Sequence, residues 1–190
     1  MKKKLKKGFT LVELVIVIAV IAILSAVLIP TFGNVISNAN DSAAKSEVSN
    51  AITQYTTNQA SHNLSADLPD GYIVLFKKEQ TVSGNAAYAS YTSDNISYVF
   101  SYNKGKLEMV TWSVKTPATD SANLVLTVKG ENDAASSDVT LNVKGLTSVT
   151  ADSWKAEGTV VLDGTVITSG SGTSATHSLS GKVVLLAKVA

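Results

Sequence analysis

The feature that most limits what this chain can become is an apolar run near its start, FTLVELVIVIAVIAILSAVLIPTF. It holds 24 positions from Phe9 to Phe32, and only Thr10, Glu13, Ser25, Pro30 and Thr31 are not plainly apolar. Coiled as a helix, the run extends about 36 Å, against roughly 30 Å for the hydrocarbon core of a bilayer. A helix that is apolar on every side either spans lipid or is enclosed by other helices. Lys2, Lys3, Lys4, Lys6 and Lys7 precede it, and basic flanks stay on the cytoplasmic side of a membrane. The expected precursor is single-pass, with its amino terminus in the cytoplasm and the remainder outside.

Glu13 narrows the reading further. A cleaved secretory signal needs a shorter apolar region ending in a small-x-small site, and AILSAVLIP offers a poor one. A plain uncleaved anchor fits the length and the flanks but gives no reason for a carboxylate within the span, where an unpaired charge is costly. The stretch KKGFTLVE closely resembles the class III signal of type IV prepilins: a basic leader, a glycine, then Phe-Thr-Leu-Val-Glu opening an apolar helix. The resemblance covers residues 1 to about 32. It implies cleavage between Gly8 and Phe9 by a prepilin peptidase, methylation of the new amino terminus at Phe9, and assembly of the mature chain into a helical homo-oligomeric filament. Cutting after Gly8 creates an ammonium group on Phe9, and two opposite charges in an apolar bundle relieve one another. In the family, Glu13 would neutralise Phe9 of a neighbouring subunit and set its axial register. A contact within one chain stays open, because positions 9 and 13 are four apart on a helix.

Pro30 and Gly33 flank Thr31-Phe32. Proline removes one helical hydrogen bond and clashes with the preceding turn, and glycine lowers helix propensity by about 1 kcal/mol relative to alanine. A kink or loosened turn is expected there; the resemblance adds that such a stretch can melt in an assembled filament. Residues 33–62 continue the helix in amphipathic form, with Ile36, Ala39, Ala43, Val48, Ile52 and Tyr55 proposed for one face. Pro69 and Asp70-Gly71 end the helical signal. YIVLF reads as a buried strand, and NISYVFSYNKGKLEMVTWSVK as a hairpin turning at Asn103-Lys104-Gly105, with Ile96, Tyr98, Phe100 and Tyr102 on one face. Beyond a linker-like TPATDS come NLVLTVKG, DVTLNVKG, GTVVLDGTVIT and GKVVLLAKV, with Asp163-Gly164 as a hairpin signal.

The expected fold class is α+β: a long amino-terminal helix packed on an antiparallel sheet, with a further all-β extension. The segments are a leader at 1–8, an apolar transmembrane or filament-core helix at 9–32, its amphipathic continuation at 33–62, the head sheet at 63–117 and the extension at 118–190. That extension is expected either to widen the first sheet or to form a second one.

Composition excludes several classes of function. Without the leader, eleven lysines face fifteen acids, a net charge of −4, and no basic residue is arginine. Specific nucleic-acid binding is not expected of such a surface. With no cysteine, there is no lipoprotein anchor, thiol nucleophile or cysteine metal site, and the fold is held without disulfides. His62 and His177 stand apart from any acid or nucleophile in sequence, and SGSGTSATHS reads as a low-complexity turn, so catalytic, metal and cofactor sites are expected to be absent. The aspartates near GENDAASSD match no defined calcium loop.

The functional expectation is therefore a structural, non-enzymatic pilus subunit. Before assembly it would sit in the cell membrane, and afterwards in an extracellular filament. The resemblance implies the prepilin peptidase, the assembly platform and its ATPase as partners. The alternatives are a pseudopilin of a type II secretion or competence system, and a membrane-tethered surface module that does not polymerise.

Overall fold

The computed structural model describes residues 8–64, 67–77, 93–118, 122–130, 135–142, 155–156, 159–169 and 176–188. It divides into two units, one ending at Ala43 and the other beginning at Ala44. Helix α1 (Leu11–Ser61) supplies the regular structure of the first unit and continues into the second. From Leu14 to Leu24 only Leu, Ile, Val and Ala occur, and in an apolar setting a helix satisfies their backbone groups within the segment. Pro30 lies inside it without ending it, and the Thr31 hydroxyl next to it donates to the Val27 carbonyl one turn back. Side chains that bond back to their own helix in this way leave no polar group seeking a partner.

From Ala44 onward α1 buries Ala44, Val48, Ala51, Tyr55 and Gln59. Steps of three and four keep these residues on one face. The face differs from the sequence expectation, since Ile36, Ala39 and Ala43 are exposed and the stripe begins one position later, at Ala44. Alanines stand at 39, 43, 44 and 51, and a methyl group marks either face equally well; the sheet takes the pair that brings Val48 and Tyr55 inward. The helix ends in a left-handed turn at Asn63, with φ 55°. The amides of Asn63 and Leu64 return to the carbonyls of Ala60 and Gln59, the two bonds that close a helix carboxyl end.

The second unit contains a six-stranded antiparallel sheet in the order β3-β2-β1-β9-β8-β7. Its strands are β1 (Gly71–Phe76), β2 (Ile96–Asn103), β3 (Lys106–Met109), β7 (Lys155–Ala156), β8 (Thr159–Ser169) and β9 (Thr176–Lys188). A second sheet, in the order β4-β5-β6, comprises β4 (Trp112–Thr116), β5 (Leu124–Val128) and β6 (Ser137–Leu141). The late strands thus realise both arrangements left open by the sequence: β7, β8 and β9 widen the first sheet, while β5 and β6 form the second with β4. The segment expected to return along β2 as one strand splits at Val110-Thr111, with β3 staying on β2 and β4 crossing to the other sheet.

Two cores result. On one face of the large sheet, Ile73, Leu75, Phe100, Leu107, Val160, Leu162, Val184 and Leu186 pack with the α1 stripe. On the other, Val74, Phe76, Val99, Val161, Leu185 and Ala187 pack with Leu124, Leu126, Val128, Val139 and Leu141 of the second sheet. β1 is covered on both faces, which is why YIVLF reads as a continuous apolar run. Ile96 departs from its expected companions: a bulge opposite Leu75/Phe76 shifts the register and sends Ile96 to the second core, while Tyr98 and Tyr102 face the helix.

Two expectations are corrected. Asp163-Gly164 is no hairpin turn; it lies within β8, where the register with β9 slips on both sides of Asp163 and Gly164 has φ 140°. The glycine serves an irregularity inside the strand, the other use of such a residue between apolar runs. His177 lies in β9 opposite Thr168, not in a loop. Residues 131–134 of GENDAASSD and 170–175 of SGSGTSATHS lie outside the described residues.

Candidate assembly site

Gly8, Phe9 and Thr10 precede the helix and are exposed. An added Cβ at Gly8 would meet nothing within 4 Å, so the Gly8–Phe9 bond stands clear of the described chain. Phe9 is 82% exposed.

Glu13 is held by its own chain. The backbone N–H of Thr10 donates to Glu13 Oε2 at 2.8 Å, and the Thr10 hydroxyl donates to the same oxygen at 2.7 Å. In return the amide of Glu13 approaches Thr10 Oγ1 at 3.3 Å. With Leu11 as the first helical residue, this is a capping box: Thr10 caps the helix and the acid three residues on reaches back. A carboxylate at the positive end of a helix is also favoured by the peptide dipoles. Phe9 is joined to Gly8 in this chain, so its nitrogen is an amide and carries no charge. Sequence reasoning named Glu13 and overlooked Thr10 as its partner; the T-x-x-E spacing before an apolar run carried that signal.

Pro30 and Gly33 both lie in helix, and an added Cβ at Gly33 would meet nothing within 4 Å. Along the segment between Glu13 and Gly33 the large apolar side chains are exposed. Leu14, Ile18, Ile21, Leu24, Leu28 and Phe32 are each at least half exposed. α1 is long and apolar enough to cross a membrane. Among the described residues, no three His, Asp or Glu side chains gather as a metal site.

A sequence-family profile described as the prokaryotic N-terminal methylation motif matches residues 3–29. The chain is 45% identical over 64 residues to the type IV wide pilus major component PilA4 of Thermus thermophilus, covering 28% of this chain and 49% of that protein. It is 46% identical over 55 residues to the type IV major fimbrial protein FimA of Dichelobacter nodosus, covering 29% of this chain and 35% of that one. The match thus spans about half the length of the first relative and about a third of the second. A third relative, the type IV major pilin protein PilE of Neisseria gonorrhoeae, is 30% identical over 166 residues, covering 80% of this chain and 98% of that protein. The chain belongs to the type IV pilin family. No solved structure matches it. The short, strong matches are of a size with the helix, whereas the match to the gonococcal pilin extends through most of the head.

Proposed function

We propose that this pilin is made as a prepilin and polymerises non-covalently into a type IV pilus. The observation that supports the reading is the uncovered apolar surface of α1: from Phe9 to Ile36 the large apolar side chains are exposed and find no shelter among the described residues of their own unit. At roughly 25 cal/mol per Å² such a surface does not stay in water. Lipid covers it first, in a single-pass precursor with the leader in the cytoplasm, and neighbouring copies cover it afterwards. The prepilin peptidase cuts between Gly8 and Phe9, and Phe9 is methylated. The new ammonium group then needs a counter-charge wherever it is enclosed.

Glu13 of a neighbouring copy supplies it. The Thr10 bonds fix one carboxylate oxygen, and a carboxylate has acceptor capacity beyond two bonds. The acid is thereby held in one rotamer before its partner arrives, which lowers the entropy lost on docking. Pro30 and Gly33 mark where the assembled helix can loosen. Residues beyond about 63 form the outer surface, and the assembly platform and its ATPase drive insertion. The chain itself is structural and performs no catalysis.

Two measurements test this. Mass spectrometry of the membrane-extracted protein is expected to find N-methylated Phe9 as the first residue; retention of residue 1 would overturn the reading. In cells, Glu13→Ala is expected to be cleaved normally yet to be depleted from sheared surface filaments. Normal incorporation refutes the role given to Glu13, and confinement of the wild-type chain to the envelope with no sheared filament favours a pseudopilin.

A further inference from the structure

Among the described residues of the head, a concave site combines volume with polar chemistry. A cavity of about 580 Å³ opens where the second sheet stops short of covering the first. Its floor is built by register. Tyr72 on β1 faces Ser101 on β2, Ser101 faces Glu108 on β3, and Asn103 faces Lys106 one row beyond. Alternation along a strand puts these residues on the same face, the one that Val74 and Val99 use for the second core. Beyond Val110 the apolar cover ends, and the face turns polar.

The walls are lysines whose backbones are pinned. Lys104 occupies the tight turn between β2 and β3 with φ 48° and is followed by Gly105 at φ 81°. Asn, Asp or Gly adopts that left-handed conformation at lower cost than lysine. Its amide donates to Asp70 Oδ1 at 2.7 Å, which fixes the turn against the start of β1. Opposite, the amide of Lys129 donates to the Thr111 carbonyl at 2.9 Å and holds the end of β5 beside the β3–β4 link. Lys106 pairs with Glu108. Neither the Lys104 nor the Lys129 ammonium group has an ion-pair partner among the described residues.

We propose that this cavity binds an acidic saccharide of about two rings, its carboxylate held by Lys104 and Lys129. Tyr72 is half-buried against the second core and lines the cavity, so it would offer a sugar an apolar contact. Asn103 and Ser101 offer amide and hydroxyl groups for ring hydroxyls. Glu108, though paired with Lys106, keeps acceptor capacity beyond that bond, so the lining offers acceptors as well as donors; ring hydroxyl groups use both, and a phosphate chain uses only the donors. The volume lies within the range of small-molecule sites. The proposal does not depend on the filament reading, because every residue used belongs to the head.

The test uses the full-length chain in detergent micelles, titrated with digalacturonate, 3′-sialyllactose, lactose, inorganic phosphate and a short DNA duplex. Saturable binding of digalacturonate or sialyllactose is expected, with lactose at least about tenfold weaker. The tighter of the two acids tells whether the natural source is a uronate polymer or a sialylated terminus. Lys104→Ala with Lys129→Ala is expected to weaken the acidic ligand about tenfold, as loss of two charge-assisted contacts should. Lys45→Ala, an exposed helix lysine, is expected to change nothing. Equal binding of lactose, equal or tighter binding of phosphate or DNA, no effect of the double substitution, or an equal loss in Lys45→Ala would each overturn the proposal.

Discussion

Replacing Gly71 by alanine puts the packing of the large sheet to a direct test. Gly71 opens β1, opposite Tyr102 on β2 and Lys188 on β9. A Cβ added there would lie 2.1 Å from the Ala187 carbonyl oxygen and 3.1 Å from Leu186 Cδ1. The oxygen is backbone, so no rotamer change relieves the clash. An ordinary carbon–oxygen contact is about 3.3 Å, and the two strands must part by about 1 Å, enough to carry ladder bonds of about 2.9 Å beyond useful length. Overpacking costs about 1–3 kcal/mol, and a lost ladder bond adds about 1 kcal/mol. Alanine recovers about 0.4–1 kcal/mol by restricting the unfolded chain. The net loss is about 1–3.6 kcal/mol, and at about 2–4 °C per kcal/mol for a chain of this length Tm falls by about 2–14 °C. Tryptophan fluorescence of the full-length chain in micelles reads the transition. Gly33→Ala is the control, since its Cβ would meet nothing within 4 Å, and its head should melt as the wild type does. A Gly71→Ala midpoint within about 1 °C of wild type would refute the close approach of β1 and β9, because it corresponds to well under 1 kcal/mol.

Three further outcomes are expected. Thr10→Val removes both hydroxyl bonds of the cap; at about 0.5–2 kcal/mol for such a loss, amide exchange at Glu13 should accelerate roughly two- to thirtyfold, and Thr10→Ser should restore protection. Val48 is fully buried against the sheet, so Val48→Ala should cost about 1–3 kcal/mol by chemical denaturation, while Ile36→Ala, exposed in the first unit, should leave the head midpoint unchanged in micelles. On the second sheet, the hydrogen bond from Lys115 and then that from Thr127 hold the Asp138 carboxyl below the usual carboxylate range. A folded-state pKa below the unfolded one gives stability that is present above the unfolded value, about 4, and is lost as pH falls through the folded value. Lys115→Met should therefore melt lower than wild type at neutral pH, the two should converge below about pH 4, and a constant gap across that range would refute the assignment.

The amino-terminal half was legible because its information is local. A continuous apolar run, a lysine cluster and a carboxylate at fixed spacing from a glycine can be read without knowing what they touch. The Thr10 cap is equally local, but the reading of Glu13 weighs only Phe9, of a neighbour or of the same chain, as its partner. Strands were legible as alternations, but their pairings were not. Nothing near Tyr72 names Ser101 or Ala187 as its neighbours, and the choice is made by complementary buried faces once the sheet has formed. Asp163-Gly164 shows the same limit, since the residues that permit a reversal also permit an irregularity within a strand. The cavity was invisible for a related reason: Tyr72, Glu108 and Lys129 become neighbours only through the register of three strands and the place where a second sheet ends.

The position of β9 between β1 and β8 also orders events in time. β1 follows the helix closely, yet one of its two edges stays open until Thr176–Lys188 arrives, more than a hundred residues later. Loop closure over that distance is slow relative to local contacts, and until it happens Ile73, Val74 and Leu75 lack one lateral neighbour. A chain threaded through a membrane from its helix outward would emerge with its anchor ready and its head unfinished. Any copy interrupted before β9 would keep the exposed strand edge and the half-built cores. On the export and assembly proposed above, the inserted strand would act as a receipt for a complete chain, since only delivery of β9 closes the sheet between β1 and β8.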